Sequence, residues 1–361
     1  MKRILISITS LEGGGAERVA ALWANKLMNF GCTVAILVYC RSVGEYEINP
    51  SIKIYSLANS YEDYLRIGKI SRIKSIRKIV KLFNPDINIS FLPNMQKWFM
   101  ISTLGLNFFR IETIRVNPWM AVNGILNNIM WKSAFFLSDR IIVQTDEQIG
   151  YLSKSCQKKC VVVRNPVDSK FLKYSKSYHS KVKKFIAAGR LSSQKNFYLL
   201  IKAFANVSRE NPNIELDIYG DGEESFKRQL KKAIREENAE NIIRLHPKIS
   251  DIQLAMLESD CFVLSSNYEG LPNALIEALS LGLVCISTNC QTGPSDLIPN
   301  EKTGFLIEVG NQKELENTIK KVLFMPIHEL SKIGHTAREH ILTLCNNKNN
   351  FDVLLKTLEI K

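Results

Sequence analysis

The chain has 361 residues, of which 45% are hydrophobic and 23% charged, and its formal net charge is +13. This length favours two domains over one core, and the composition is that of a globular protein. No apolar run approaches the roughly eighteen residues that a membrane-spanning helix needs. The basic, then apolar segment 1–8 leads directly into a glycine loop, which predicts a first strand rather than a signal peptide.

The charge is unevenly distributed. Residues 1–170 contain 23 Lys and Arg against 12 Asp and Glu, whereas residues 171–361 contain 25 against 23. A basic first half suggests an anionic partner: a membrane surface, a nucleic acid or a phosphorylated substrate. The eight cysteines are scattered, and no two pairs have zinc-binding spacing, so we expect reduced thiols in the cytoplasm and no metal.

The first half alternates predicted strands and helices. Strands are expected at 4–8, 33–39, 87–91, 112–116 and 140–144, and helices at 16–29, 71–82 and 123–137. Strands separated by helices pair in parallel through right-handed crossovers. The pattern stops at Asn165-Pro-Val-Asp168, so we predict a first domain over 1–168 and a linker over 169–184.

The alternation then restarts and predicts a second domain over 185–345. Its strands are expected at 185–188, 214–219, 242–245, 261–265 and 284–288, and its helices at 197–210, 225–237, 252–259 and from Glu269 to Gly282. A last helix within 346–361 is expected to cross back to the first domain. The predicted fold class is α/β, with two Rossmann-like, doubly wound domains that face each other across a cleft.

The stretch Glu269-Gly-Leu-Pro-Asn-Ala-Leu-Ile-Glu277 follows a buried strand and opens a helix. In open α/β sheets, ligands bind where strands end, and the free amides of a helix N-terminus suit a phosphate. The two carboxylates do not favour a phosphate, so we expect them to accept hydrogen bonds from hydroxyls. A ligand with phosphates and hydroxyls suggests a nucleotide sugar.

Three further glycine motifs follow predicted strands. The first, Glu12-Gly-Gly-Gly-Ala-Glu17, allows close approach of a ligand but is also compatible with a plain tight turn. The second, Gly189-Arg-Leu-Ser-Ser-Gln-Lys195, carries two cations that suit a diphosphate, unless it is a solvated basic loop. The third, Gly220-Asp-Gly222, is by itself a simple turn.

Together these motifs resemble the retaining family 4 glycosyltransferases of the GT-B fold, over nearly the whole chain. The resemblance also rests on Asn165-Pro-Val-Asp168, Thr288-Asn-Cys-Gln-Thr-Gly-Pro294 and Thr303-Gly-Phe-Leu306. It implies a UDP-sugar as co-substrate, no metal, and a leaving phosphate that helps to deprotonate the acceptor. The absence of an Asp-x-Asp motif agrees with the expectation of no metal.

The resemblance also implies residue roles. Arg190 and Lys195 would bind the donor diphosphate and stabilise its developing charge, and Glu269 would lie beside the donor sugar, which makes these three the expected catalytic residues. Glu277 would bind the ribose. The other expected donor contacts are the diphosphate loop at Gly14 and Gly15, the base-binding pair Lys248 and Ile249, and the sugar-contacting backbone of Gly270, Leu271, Pro272 and Asn273.

The first domain departs from the family pattern. Many relatives place a histidine near the reacting sugar after a strand, but the corresponding stretch here, Thr113-Ile-Arg-Val-Asn-Pro118, has none. Arg115 or Asn117 takes that place in our interpretation, and Glu17 joins them on the acceptor side.

Residues 66–81 carry seven cations and no acid, and their isoleucines recur at helical spacing. Such a helix binds anionic lipid with about 1 kcal/mol per cation, although its apolar stripe also suits packing on a sheet, and we expect both. Segment 91–109 is apolar and aromatic and would add to this surface. Nucleic acid is not expected, because no recognition motif is present.

We therefore predict a peripheral enzyme on the inner face of the cytoplasmic membrane. It would transfer a hexose or N-acetylhexosamine from UDP-GalNAc, UDP-Gal or UDP-Glc to a polyprenyl-diphosphate-linked saccharide, during synthesis of O-antigen, lipopolysaccharide or capsule. Alternatives are a nucleotide-sugar epimerase of the same fold and a non-catalytic basic binding protein. A nicotinamide dehydrogenase is disfavoured because the first loop lacks GxGxxG.

Overall fold

The computed structural model of the protein describes residues 1–42, 44–345 and 347–360. Positions 346 and 361, the ends of the expected C-terminal helix, therefore lie outside the described residues. The chain forms two compact units: unit 1 comprises Met1–Asn165 with Lys348–Lys361, and unit 2 comprises Pro166–Asn347. Each unit has one parallel sheet, of seven strands in unit 1 and six in unit 2.

The strands of unit 1 are β1 (Arg3–Ser7), β2 (Thr33–Cys40), β3 (Lys53–Ala58), β4 (Ile87–Ser90), β5 (Phe109–Thr113), β6 (Arg140–Val143) and β7 (Cys160–Val162). Its helices are α1 (Gly15–Asn29), α2 (Tyr61–Arg66), α3 (Lys69–Phe83), α4 (Pro93–Ser102), α5 (Ile125–Phe136) and α6 (Lys154–Gln157). The strand order is β3-β2-β1-β4-β5-β6-β7. The order reverses between β1 and β4, which is where open α/β sheets bind ligands.

The sheet of unit 1 is covered by helices on both faces. Successive strand residues point to opposite faces: Ile4 and Ile6 pack in one apolar cluster with α1, while Leu5 packs in another with side chains of α3 and α4. A last helix, α15 (Asn347–Thr357), adds Leu354 and Leu355 to the first of these clusters. On the opposite face, α3 packs beside α4, and α4 beside α5.

The basic segment 66–81, predicted as one helix, is interrupted. Helix α2 ends at Arg66, Ile67 is extended, and α3 begins only at Lys69 after Gly68. The isoleucine spacing was sufficient for α3, but the glycine ends the pattern before it reaches Arg66. The cations of this segment therefore belong to two helices.

Strand β5 was predicted at 112–116 and lies at Phe109–Thr113. Its register with β4 pairs Ile87 with Phe109, so the strand begins three residues earlier than the apolar run suggested. Arg115 and Asn117 consequently lie in the loop that follows the strand, at the edge where ligands bind. In unit 1 the prediction omitted the strands β3 and β7 and the helices α2, α4 and α6.

Unit 2 has the strands β8 (Lys184–Ala188), β9 (Glu215–Tyr219), β10 (Ile243–His246), β11 (Cys261–Leu264), β12 (Val284–Thr288) and β13 (Phe305–Ile307). Its helices are α7 (Ser169–Leu172), α8 (Phe197–Glu210), α9 (Glu224–Glu236), α10 (Ile252–Glu258), α11 (Asn273–Leu281), α12 (Pro294–Leu297), α13 (Gln312–Leu323) and α14 (Ile327–Leu344). The strand order is β10-β9-β8-β11-β12-β13, which reverses between β8 and β11.

Residues 169–184, expected to be a linker, pack within unit 2. Helix α7 contributes the fully buried Phe171, and Tyr178 and Val182 are also buried. The Tyr178 hydroxyl donates a hydrogen bond to the Asp260 carbonyl (3.0 Å) and accepts one from the Val284 amide (2.7 Å). The low apolar periodicity of this segment reflects an irregular path over the domain, not the absence of packing.

Candidate functional site

A buried ion pair lies at the C-terminal edge of the unit 2 sheet. Lys195, in the loop between β8 and α8, donates from Nζ to Oε1 of Glu269, in the loop between β11 and α11, at 2.6 Å. The two side chains are only 14% and 7% exposed. The structure thus brings together two of the three expected catalytic residues, in the loops after β8 and β11, the strands that flank the reversal of strand order.

Neighbouring polar groups fix the carboxylate of Glu269. Ser266 Oγ donates to the same oxygen as Lys195 at 2.6 Å, and Gln194 Nε2 lies 3.4 Å from the other oxygen. Thr292 donates to the backbone carbonyl of Glu269. A carboxylate with three donors around it is held in one orientation.

The two loops that carry the ion pair are also joined through their backbones. Ser265 Oγ donates to the Lys195 carbonyl (2.9 Å), and the Asn267 amide donates to the Gln194 carbonyl (2.8 Å). Asn196 adopts a left-handed conformation (φ +46°) and caps α8 by accepting from the Leu199 amide. Asparagine tolerates this conformation, so the residue after Lys195 turns the chain into the helix.

Close approach of neighbouring atoms, side chain at one and backbone at the other, explains two of the glycines. A Cβ on Gly189 would lie 2.8 Å from Cε of Lys195, and a Cβ on Gly220 would lie 2.0 Å from the Gly189 carbonyl oxygen. The motif Gly220-Asp-Gly222 therefore packs directly against the loop after β8. The sequence pattern predicted turns at both places, and the structure adds their mutual contact.

Arg190 lies in the same loop as Lys195 but is exposed. Within the described residues its guanidinium makes no ion pair and no hydrogen bond. One cation of the predicted diphosphate clamp is thus buried and paired with an acid, while the other is free in solvent. The two residues are not equivalent groups.

Several of the predicted nucleotide contacts lie in the segment that directly follows Glu269. Pro272 precedes α11 and Asn273 is its first residue, so Gly270 and Leu271 form the turn that opens the helix. Glu277 is buried one turn further along α11. A Cβ on Gly293 would lie 2.2 Å from the Gly270 carbonyl oxygen, so that glycine packs directly on the turn.

Lys248 and Ile249 lie in the loop between β10 and α10, and both are exposed. Beside this loop, Asp221 accepts from Lys227 and from the Gly222 amide (2.9 Å). The Lys227 hydrogen bond, followed by that of the Gly222 amide, lowers the pKa of Asp221. The ring of Tyr219 stacks on that of His246 at 4.5 Å.

In unit 1, the glycine motif opens α1. Gly13 has φ +81°, Gly14 is the residue before the helix, and Gly15 is its first residue. A Cβ on Gly14 would lie 2.0 Å from Oε2 of Glu17, so the carboxylate of this buried side chain folds over the glycine.

Arg115 and Asn117 are both buried in the loop after β5. Arg115 Nη1 donates to Oδ1 of Asn165 at 3.0 Å, and its guanidinium carbon lies 4.4 Å from the ring centroid of Trp23. Asn117 accepts from the Trp119 amide at 3.0 Å, which ties it to its own loop.

The sequence interpretation missed several polar residues of both sites. In unit 2 these are Gln194, Ser266 and Thr292, around Glu269. In unit 1 they are Gln144 and Asn165, both buried at the same sheet edge as Arg115. Polar side chains directly after apolar strands were the available signal, since such positions lie at the ligand-binding edge.

Among the described residues, no group of three or more His, Cys, Asp and Glu side chains is arranged to hold a metal ion. Nor does any helix in the part of the chain that the structure describes have the length and apolarity to cross a bilayer.

Two parallel, doubly wound domains, with a helix start and a paired cation at the edge of one sheet, are typical of nucleotide-binding α/β proteins. Comparison with known proteins is more specific. Residues 170–340 match a family model described as glycosyl transferases group 1. An uncharacterized glycosyltransferase of Methanocaldococcus jannaschii is 34% identical over 63% of this chain, although the match spans only 62% of that relative's length.

A second relative is the N-acetylgalactosamine-N,N'-diacetylbacillosaminyl-diphospho-undecaprenol 4-alpha-N-acetylgalactosaminyltransferase of Campylobacter jejuni, 26% identical over 90% of both chains. The fold is also that of the solved structure of Anabaena HepE in complex with UDP and glucose (TM-score 0.84, 15% identity, 99% of this chain and 100% of that one). The chain is therefore a glycosyltransferase with the GT-B fold. Its placement in family 4 stays a prediction.

Proposed function

We propose that the protein is a retaining glycosyltransferase that moves a hexose or N-acetylhexosamine from a UDP-sugar to a polyprenyl-diphosphate-linked saccharide, in the synthesis of a bacterial surface polysaccharide. The observation that carries the proposal is the Lys195–Glu269 pair at 2.6 Å, next to the exposed Arg190 and the start of α11. A cation, an exposed guanidinium and the N-terminus of a helix suit a diphosphate.

In the proposed reaction, Arg190 and Lys195 bind the diphosphate and stabilise the charge that develops on it as the sugar leaves. Glu269 already accepts hydrogen bonds from Lys195 and Ser266. Its proposed role is therefore to orient Lys195 and to accept a hydrogen bond from a sugar hydroxyl, not to act as a general base. Glu277 binds the ribose, Lys248 and Ile249 hold the base, and the diphosphate loop of unit 1 contributes Gly14 and Gly15.

The choice of donor and acceptor rests on the relatives. HepE was solved with UDP and glucose, and the Campylobacter enzyme is named for a diphospho-undecaprenol acceptor. A relative from Erwinia amylovora, 27% identical over 85% of this chain, is named as an amylovoran biosynthesis glycosyltransferase. UDP-GalNAc, UDP-Gal and UDP-Glc are the donors we propose.

A donor panel tests this proposal. The full chain is incubated with UDP- and GDP-sugars, with and without polyprenyl-diphosphate-linked saccharides, and products are identified by mass spectrometry. We expect a single added sugar, from a UDP donor, and only with the lipid-linked acceptor. Conversion of the donor to its epimer without an acceptor would favour the epimerase, and failure to bind any UDP-sugar would favour the binding protein.

The structure changes which residues we propose for the membrane contact. Arg72 donates to the carbonyls of Tyr64 (2.9 Å) and Leu65 (3.1 Å), and Arg77 donates to those of Ser102 (3.1 Å) and Leu104 (2.9 Å). Both guanidinium groups therefore bind the protein's own backbone. The exposed cations of α3 are the lysines Lys69, Lys74, Lys78 and Lys81.

Helix α5, on the same side of the sheet, supplies the apolar part. Ile125 is 82% exposed, and Leu126, Ile129 and Phe136 are also largely exposed on this helix. Each such side chain contributes about 1.5–3 kcal/mol when fully buried, and each lysine near an anionic surface about 1 kcal/mol. We propose that an anionic lipid surface, on the inner face of the cytoplasmic membrane, contacts these lysines and this apolar face.

Vesicle co-sedimentation tests the lipid contact, using phosphatidylglycerol vesicles against phosphatidylcholine. The triple variant Lys74→Glu/Lys78→Glu/Lys81→Glu is expected to weaken binding to phosphatidylglycerol at least about tenfold, equal to about 1.4 kcal/mol. The apolar variant Ile125→Gln/Ile129→Gln is expected to weaken it as well.

The matched control reverses three exposed cations of α9 in unit 2, in the variant Arg228→Glu/Lys231→Glu/Arg235→Glu. It changes the net charge by the same amount and is expected to leave vesicle binding nearly unchanged. Equal losses in the two triple variants would mean that only net charge matters, and the proposed surface would be rejected.

A further inference from the structure

Arg115 is a buried cation without an acid. The residue is only 8% exposed, and no acidic side chain among the described residues forms an ion pair with it. Burial lowers the pKa of Arg115 to about 9, so the guanidinium is still charged at neutral pH. A buried charge of this kind is costly unless an opposite charge accompanies it.

The partners that Arg115 has are all neutral. Nη1 donates to Asn165 Oδ1 (3.0 Å), and the rings of Trp23 and Phe91 lie 4.4 and 5.6 Å from the guanidinium carbon. Contacts with aromatic faces offset only part of the cost of burying the charge. The two rings lie near the guanidinium carbon, but they do not provide the oxygen acceptors that its N–H groups need.

The two donors without a partner are Nε and Nη2. These atoms form one edge of the guanidinium, and their N–H bonds are parallel, which is the geometry that binds a carboxylate or phosphate through two oxygens. With Nη1 bound to Asn165, Nε and Nη2 are the guanidinium nitrogens without a partner, and together they form one two-point binding edge.

The loop after β6, which also contacts Asn165, carries two more buried polar atoms without partners. Gln144 Nε2 donates to the same Asn165 oxygen at 2.8 Å, while Gln144 Oε1 and Thr145 Oγ1 have no partner, and both residues are buried. Gln148 accepts from the Gln144 amide (2.7 Å) and donates to the Val116 carbonyl (3.2 Å), which joins the loops after β5 and β6. Buried polar atoms without partners are rare in proteins and mark places where a ligand or water binds.

We propose that the Nε–Nη2 edge of Arg115 binds an oxyanion, a carboxylate or a phosphate, carried by one of the two substrates of the transfer. Gln144 Oε1 and Thr145 Oγ1 would accept hydrogen bonds from hydroxyls of the same substrate. The source is either a uronic acid, as a donor or acceptor sugar, or a phosphate of the lipid-linked acceptor. The identity of the substrates rests on the proposed function, but binding itself is measurable without turnover.

The first experiment observes Arg115 directly in the full chain. The ¹⁵Nε–¹Hε resonance of Arg115 is assigned by its loss in Arg115→Lys and is followed at constant ionic strength. The probes are methyl glucuronide, methyl phosphate and the neutral methyl glucoside. We expect a saturable shift with at least one anion and none with methyl glucoside. No shift with either anion, or an equal shift with the neutral sugar, would overturn the proposal and leave water as the partner.

The second experiment uses thermal unfolding. Arg115→Met removes the charge, and Gln144 still donates to Asn165, so the melting temperature without anion is expected to rise while the stabilisation by the anion is lost. Arg115→Lys keeps the charge without the two parallel donors and is expected to weaken anion binding at least about tenfold. The control Arg140→Met removes an exposed cation of the same unit and is expected to respond to the anion as the wild type does. Wild-type anion responses in both Arg115 variants would overturn the proposal.

The two methods also separate this proposal from the proposed function. Transfer of a sugar together with an unresponsive Arg115 would reject the oxyanion site and leave the glycosyltransferase standing. An anion-specific response of Arg115 in a chain that transfers no sugar would support the site and reject the function. In active enzyme, a KM that rises at least tenfold in Arg115→Lys for only one substrate identifies which of the two carries the anion.

Discussion

Each unit places a cation in a loop after a strand, largely buried in unit 2 and buried in unit 1, but the two units treat its charge differently. In unit 2, Lys195 lies 2.6 Å from Glu269, and Ser266 completes the carboxylate's hydrogen bonds. In unit 1, Arg115 contacts two aromatic rings and an amide oxygen, without an acid. The charge of Lys195 is compensated by an acid of the protein itself. The charge of Arg115 has no such acid, and we propose that an oxyanion of a substrate compensates it.

This difference separates two ways of preparing a site. A compensated pair is rigid before the substrate arrives, and its two members are stable only together. An uncompensated cation lowers the stability of the empty protein. Binding of a ligand restores that stability, because a ligand that binds only the folded state stabilises the fold. Variants at the two positions should therefore move stability in opposite directions.

The largest effect is expected at the ion pair. Lys195→Met or Glu269→Gln alone leaves one buried charge, which typically costs about 3–5 kcal/mol, while the double variant is expected to recover most of that stability. All three variants should transfer sugar at least about tenfold more slowly, a loss of about 1.4 kcal/mol or more. Urea unfolding and the transfer assay measure the two properties. Single variants as stable and active as the wild type would contradict the pairing.

A somewhat smaller effect is expected where the loop of Lys195 is supported. In Gly220→Ala the new Cβ would lie 2.0 Å from the Gly189 carbonyl oxygen, and overpacking of this kind costs about 1–3 kcal/mol. The shift moves the loop that holds both cations, so activity falls too. Gly150→Ala is the control, because nothing lies within 4 Å of the position of its Cβ. The comparison fails if the two alanine variants are equally stable.

Arg190 should separate activity from stability. It is exposed and unpaired within the described residues, so Arg190→Ala is expected to change the free energy of unfolding by less than about 0.5 kcal/mol. Its transfer rate should nevertheless fall about tenfold, since the diphosphate loses a cation. Arg228→Ala, an exposed cation on α9, is the control for a general effect of charge. A Kd for UDP that is the same in Arg190→Ala and the wild type would remove Arg190 from the site.

The smallest effect concerns the buried thiols of unit 2. Burial raises the pKa of Cys290 to about 11 and raises the pKa of both Cys261 and Cys285 well above the usual value of 9.0. The unfolded chain therefore loses these protons first, and stability should be unaffected below pH 9 and fall as the pH rises from 9 towards 11. Native protein should also react slowly with a thiol reagent at pH 8. Rapid modification of Cys285 would contradict this burial.

Much of the fold was readable from apolar periodicity. Helix α8 and strand β12 have the predicted bounds, and the glycine turns lie at strand ends as expected. Strand β3 was missed because its residues are only partly buried at the edge of the sheet. An edge strand with mixed polarity lacks the continuous apolar run that marks a central parallel strand.

What the sequence did not supply is the choice of partners. Arg72 and Arg77 look like any other cations of a basic helix, but they bind carbonyls of α2 and of the segment after α4. Likewise, nothing local distinguishes Lys195, which has an acid 74 residues away, from Arg115, which has none. Such pairings depend on how distant segments meet, and a single sequence does not record that.

The last helix gives unit 1 a particular order of assembly. Leu354, Leu355 and Leu358 belong to the same apolar cluster as Ile4 and Ile6, although all of unit 2 lies between them in the chain. During synthesis, the ribosome therefore completes unit 2 before it releases the residues that finish the core of unit 1. Domains generally fold as they emerge, so the nascent chain carries an incompletely covered first domain until these leucines have also emerged.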